Sequence, residues 1–182
     1  MKRVRGFSLV ELMVTMAIAM ILLAIGVPTW RTYLENSRLR ATAQSFLSGI
    51  QAARTEAVRR NANIEFVFSN DPALSANSSA NANGMGWVIR TPDKATFIEG
   101  KSFSEGAGRG GVALNSAGVD VLTFTGLGTT TQAANLRLSF SNPNGGACAP
   151  TGPMRCLDIV VTRGGQSKLC DPTVTAPDTR AC

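Results

Sequence analysis

The chain has 182 residues, a formal net charge of +6, four cysteines and no histidine. Without histidine the commonest general base and the usual serine or cysteine triads are missing, and the cysteines lack the paired close spacings of a zinc site. The length allows one domain of ordinary size with a modest core, and no second domain. Lys2, Arg3 and Arg5 supply half of the net charge, so the basic balance is weak evidence for nucleic-acid binding.

The basic leader Met1–Gly6 is followed by an apolar run that holds one carboxylate, Glu11, at its start. From Leu12 to Trp30 no side chain is charged, a stretch of nineteen residues that covers about 30 Å as a helix. The predicted segment spans a membrane, with the leader held on the cytoplasmic side by its three cations and the rest of the chain across the bilayer. An acid near the edge of a bilayer core costs up to ~2.5–3.5 kcal/mol at the centre, so Glu11 calls for a partner or a role. Its bland alternative is a charge that snorkels to the interface. Ala24-Ile25-Gly26 also has the spacing that an ordinary signal peptidase accepts, and cleavage there would release a soluble chain starting at Val27.

Gly6-Phe7-Ser8-Leu9-Val10-Glu11-Leu12 resembles the class III signal of type IV pilins and pseudopilins. The resemblance implies that prepilin peptidase cuts after Gly6 and methylates the new terminal Phe7, leaving the apolar helix attached. A terminal amine at Phe7 and the Glu11 carboxylate lie four residues apart, on one helix face. In the family such a carboxylate recruits the amine of a neighbouring subunit during helical assembly. An ordinary signal peptide gains nothing from an acid at that position.

Beyond Trp30 the spacing of Leu39, Ala43, Phe46, Leu47, Ile50, Ala57 and Val58, with Arg38, Arg40, Gln44, Gln51 and Arg59 between them, predicts an amphipathic helix to about Arg60. Pro28 falls inside the combined helix, where a kink is expected. Short β-branched or aromatic runs follow at 64–69, 86–90, 96–98, 112–114, 121–125, 136–140 and 157–162, separated by turn residues as in an antiparallel meander. The tract from Asn70 to Gly86 is polar and small-sided, and is expected to be a mobile loop. A long helix followed by strands predicts an α+β domain with the sheet laid on the helix.

Cys148, Cys156, Cys170 and Cys182 lie at the end of an exported chain, and two disulfides are expected in an oxidising compartment. Three connectivities are open. Cys148–Cys156 with Cys170–Cys182 is favoured because each pair closes a short loop through turn residues, and each bridge is worth about 2–4 kcal/mol in the loop-entropy model.

Two later segments carry a narrower resemblance. Cys170-Asp171-Pro172 with Asp178-Thr179-Arg180-Ala181-Cys182 is similar to the disulfide-closed end of the GspH/FimT/FimU group of minor pilins, and Thr123–Gly128 is similar to the Phe-x-Gly-x-Gly strand and turn of that group. The resemblance implies a pilin fold divided into a leader (1–6), a transmembrane assembly helix (7–30), its amphipathic continuation (31–60) and an antiparallel β head (61–182). It further implies a non-catalytic subunit of a type IV pilus that supports pilus biogenesis and twitching motility, or an H-type pseudopilin of type II secretion. Prepilin peptidase, other major and minor pilins, and the inner membrane before assembly are the implied partners, with a periplasmic head and no cofactor or metal. Some FimT-type relatives bind DNA through basic residues near the C-terminus, which makes Arg163, Lys168 and Arg180 candidates here. No dense basic run or interleaved aromatic residues accompany them, and the Gly-Arg-x-Arg pattern is absent.

Enzyme motifs fare poorly. Gly106–Gly111 satisfies a lone GxGxxG, but the segment after it is too short to be the helix a dinucleotide site needs, so a flexible loop is expected. Asp93, Glu99 and Glu105 are scattered through turns with nothing to pair them.

Overall fold

The computed structural model describes residues 7–102 and 111–182, with the backbone alone at residues 25–29. One α-helix, α1, runs over Leu9–Arg60 for 52 residues, about 78 Å at 1.5 Å per residue. Ser8 caps its start, the hydroxyl accepting the Glu11 N–H at 3.2 Å. Asn61 closes its end in the left-handed region at φ 48°, with its N–H returned to the Ala57 and Val58 carbonyls. Glu56 meets Arg59 and Arg60 in the last turn, at 2.7 and 2.8 Å.

The helix remains helical through Pro28, where a kink is expected; that side chain lies outside the described residues. Among the described residues no helix is long and apolar enough to cross a membrane. The apolar stretch described with its side chains, from Leu9 to Ala24, is shorter than the roughly 20 residues a bilayer core requires. The span expected up to Trp30 runs on through residues 25–29, whose side chains lie outside the described residues.

The strands form two four-stranded antiparallel sheets rather than the single meander expected. In the first, β3 (Phe97–Lys101), β2 (Gly86–Arg90), β1 (Ile64–Ser69) and β5 (Val121–Phe124) lie side by side. In the second the order is β4 (Ala113–Asn115), β6 (Leu136–Ser141), β7 (Leu157–Val161) and β8 (Ser167–Cys170). The division has a physical cause at the β5–β6 connection. Strand β5 returns to pair with β1, which lays Leu122 opposite Phe66 and Phe124 opposite Ile64 under the helix. The chain then turns through Gly126-Leu127-Gly128 beside the helix end and enters the other sheet. A Cβ on Gly126 would come within 2.8 Å of the Asn61 backbone, so this turn packs against the helix C-terminus as only glycine allows.

The helix face at Leu39, Ala43, Phe46, Ile50, Ala53 and Ala57 is 0–1% exposed and covers both sheets. Phe46 sits where they meet, its ring centroid 6.0 Å from that of Phe68 in the first sheet and 5.3 Å from that of Phe140 in the second. Gly49 allows the approach, because a Cβ there would stand 2.9 Å from the rings of Phe66 and Trp87. Val58, expected on this face, is 53% exposed, and Ala53 occupies the stripe instead.

Two further expectations are corrected. The first concerns β3, which lies at Phe97–Lys101 rather than 96–98, because an edge strand needs no apolar residue on its outer face. The second concerns the 70–86 tract, which is built into the head. Asn81 N–H donates to the Phe68 carbonyl at 2.8 Å, Ser79 N–H to Asp71 Oδ2 at 2.7 Å, and the Arg90 guanidinium to the Ala76 and Ser78 carbonyls at 2.9 and 3.0 Å. The tract has few side chains that could pack, and is held instead through its backbone. The loop expected at 106–111 lies outside the described residues up to residue 110, as does Glu105.

Candidate functional site

The site read from the sequence begins at the helix start. Gly6 lies outside the described residues. Phe7 precedes the cap and is 79% exposed, and Glu11 sits in the first turn of α1. Ser8-Leu9-Val10-Glu11 also has the Ser-x-x-Glu spacing of a capping box, of which the hydroxyl half is formed. The Glu11 carboxylate has no ion-pair partner among the described residues. Around it, the large apolar side chains from Leu9 to Leu23 are 52–74% exposed, with nothing among the described residues covering them.

The cysteines form two disulfides, Cys148–Cys156 with Cα atoms 5.5 Å apart and Cys170–Cys182 at 5.1 Å. The first loop is tied to α1. Asn36 donates through Nδ2 to the Pro153 carbonyl at 3.2 Å and accepts the Arg155 N–H on Oδ1 at 2.7 Å. Glu35 accepts from Asn142 Nδ2 at 2.7 Å. Neither Glu35 nor Asn36 stands out in the sequence, because their partners are more than a hundred residues away.

The candidate DNA-binding residues are exposed and spread over the β7–β8 hairpin and the tail that follows it. Arg163 is in its turn, where its carbonyl accepts the Thr130 N–H at 2.9 Å. Lys168 on β8 and Arg180 in the tail are both engaged by tail residues. Lys168 Nζ donates to the Ala181 carbonyl at 2.9 Å, and Arg180 pairs with Asp178 at 2.7 Å. The Arg180 guanidinium lowers the Asp178 carboxyl to about 2, so that partner stays charged at any ordinary pH. Two of the three cations are therefore already engaged within the tail. Among the described residues no group of three or more His, Cys, Asp or Glu is arranged to hold a metal ion.

The N-terminus matches the prokaryotic N-terminal methylation motif over residues 1–27. Residues 42–165 match the family model of the type II transport protein GspH, about two thirds of the chain. The chain belongs to the GspH family. Its fold is that of a type IV pilin or pseudopilin. It is similar to the type IV minor pilin FimU of Pseudomonas aeruginosa PAO1 in two crystal forms, at TM-scores of 0.55 and 0.59 and 16 and 17% identity, covering 76 and 80% of this chain and 98% of FimU in both. It is also 45% identical over 47 residues to the prepilin peptidase-dependent protein D of Escherichia coli K12. That match spans 26% of this chain and 32% of the relative's length.

In this GspH-family chain the Phe-x-Gly-x-Gly segment has a clear structural use. Phe124 is fully buried under α1, Gly126 abuts the helix end, and Gly128 at φ +76° lets its carbonyl accept from Arg54 Nε at 3.0 Å. Arg54 Nη2 also reaches the Gly164 carbonyl at 3.4 Å, so one helix residue fastens turns from both sheets.

Proposed function

We propose that this protein is a non-catalytic minor pilin that prepilin peptidase cleaves after Gly6 and methylates at Phe7, and that assembles into or initiates a type IV pilus for pilus biogenesis and twitching motility. The observation that carries the reading is the single helix with two unlike halves. Its first half exposes an apolar surface that one chain cannot cover, and its second half is the spine of the head. In the inner membrane lipid covers the first half; in a filament the same surface packs on neighbouring helices, and Glu11 meets the Phe7 amine of an adjacent subunit. The head is periplasmic before assembly.

A second reading is kept because the family is described as a type II transport protein: an H-type pseudopilin with the same insertion and packing, serving secretion. DNA capture has no comparable support, since Arg180 and Lys168 are engaged within the tail.

The test is intact-mass and N-terminal peptide mapping of the membrane fraction, with prepilin peptidase coexpressed and a Gly6→Val variant in parallel. The expected result is a methylated Phe7 terminus that is lost in the variant. A terminus at Val27 would overturn the reading. Recovery with sheared pili in a strain that lacks type II secretion separates the pilus from the pseudopilus.

A further inference from the structure

At the base of the head, residues 32–40 of α1 and the C-terminal tail border a groove of about 880 Å³. Three guanidinium groups from three separate parts of the chain line it: Arg40 on α1, Arg155 ahead of β7 and Arg180 in the tail. Arg180 is paired with Asp178, but Arg40 and Arg155 have no side-chain hydrogen bond or ion pair among the described residues. Asp171 is the single carboxylate among the described residues of the wall, and its Oδ1 already accepts from the Thr173 N–H and hydroxyl. Leu157, half-buried, gives the groove an apolar side. Like charges gathered in a concave site focus their field and favour an anionic occupant more than the same charges on a convex surface.

We propose that this groove docks a carboxylate-bearing segment of a neighbouring filament subunit. Charge complementarity requires an anion, and the mixed lining selects a peptide: arginines for its carboxylates and carbonyls, Asp171 to receive a backbone N–H, and an apolar side for aliphatic stems. A DNA backbone carries acceptors only and has no donor to offer Asp171, unlike a peptide N–H. Position gives the same answer. The groove wall at residues 32–40 continues directly from the exposed apolar stretch of α1, so a subunit packed along that stretch presents its chain at the groove. The proposal deepens the filament reading and rests on it.

The test uses full-length protein in detergent micelles and a short fluorescent peptide alternating Glu and Ser, with a Gln-Ser peptide and a short single-stranded oligonucleotide as comparisons. The Glu peptide should bind in a salt-sensitive way, and the double variant Arg40→Ala/Arg155→Ala should weaken it about tenfold. Lys101→Ala, on the distant edge strand, should leave it unchanged. Absence of binding, or equal binding of the Gln peptide, overturns the proposal; so does an oligonucleotide that binds through the same arginines while the Glu peptide does not. In cells, Arg40→Glu/Arg155→Glu should retain its processed Phe7 terminus yet be depleted from sheared filaments, and wild-type recovery would overturn the proposal. Glu11→Gln separates the two readings. If that variant too enters filaments normally, helix-driven assembly is what fails, whereas its exclusion beside normal recovery of the charge-reversed subunit sinks the groove alone.

Discussion

Replacing Arg90 with methionine should loosen the 70–86 tract and destabilise the head by about 3 kcal/mol. The Arg90 side chain is 5% exposed; its Nε donates to Glu65 Oε2 at 2.9 Å and its Nη1 to the Ala76 and Ser78 carbonyls. Methionine fills much of the same volume, so the loss is polar rather than a cavity. Removing one member of a buried ion pair costs about 3–5 kcal/mol, because the other charge is left buried. Glu65 retains 18% side-chain exposure and can recover some hydration, which places the value at the low end. Such a loss lowers the melting temperature of a head this size by roughly 10 °C. Hydrogen exchange adds the local readout: the Asn81 amide, which donates to the Phe68 carbonyl at the base of the tract, should exchange faster, while amides in β6 and β7 follow only global stability. Adding Glu65→Leu should return at least about 1 kcal/mol, since the stranded carboxylate is then gone. A single-variant loss under about 1 kcal/mol, or an unchanged Asn81 amide, would show that the tract is not held by Arg90.

Three other perturbations follow from the geometry. Asp158 is 5% exposed beside Arg137, and burial raises its carboxyl above the ordinary value of 3.8. The folded state therefore holds that proton more tightly than the unfolded chain, and wild-type stability should increase relative to Asp158→Asn as pH falls from neutral towards about 4, as read by paired denaturant titrations; the opposite slope would refute the assignment. Removing the tail bridge with Cys170→Ser/Cys182→Ser should cost about 3 kcal/mol and expose the segment after Asp171 to limited proteolysis, and a resistant tail would mean that Lys168 and Arg180 hold it alone. Gly49→Ala sets a gain in helix propensity of about 1 kcal/mol against overpacking of about 1–3 kcal/mol at the Phe66 and Trp87 rings; a net loss with an altered Trp87 near-ultraviolet signal is expected, and stabilisation would refute the close contact.

Much of the fold was legible because its signals are local. The alternating spacings of three and four along Leu39–Ala57 mark the buried stripe of α1, and the aromatic and β-branched runs of β1 and β2 carry their own boundaries. Strand β8 was not legible: Ser-Lys-Leu-Cys has little apolar content and earns its place by pairing with β7, although Gly164-Gly165 before it is a hairpin signal. The division into two sheets was hidden for a different reason, since a period of two says which side of a strand is buried and not which strand lies beside it. Composition misjudged the 70–86 tract because a segment with no packing side chains can still be held through its carbonyls, and the donor, Arg90, belongs to another element. The terminal features of the site, Phe7 and Glu11, follow from short-range spacing. The arginine groove joins residues from the helix, the segment before β7 and the tail, which share no local pattern.

The anchoring contacts explain how the helix sets the position of the head. Under the proposed assembly a packing force would act on the exposed half of α1, whereas the buried stripe begins only at Leu39. If the head were joined by the helix alone, bending near that point would uncouple the two. It is instead fastened at both ends of the buried half. Glu35 and Asn36 hold Asn142 and the Cys148–Cys156 loop at the base, and Arg54 holds the Gly128 and Gly164 turns near the top, with Phe46 wedged between the sheets in the middle. The contacts at the base join α1 to the segments beside the second sheet, which also carries both disulfides, while Arg54 and Phe46 reach both sheets. The bridges therefore do more than close loops in a tail of low apolar content: Cys148–Cys156 closes the loop that Asn36 holds against α1, and Cys170–Cys182 closes the tail that borders the groove at residues 32–40.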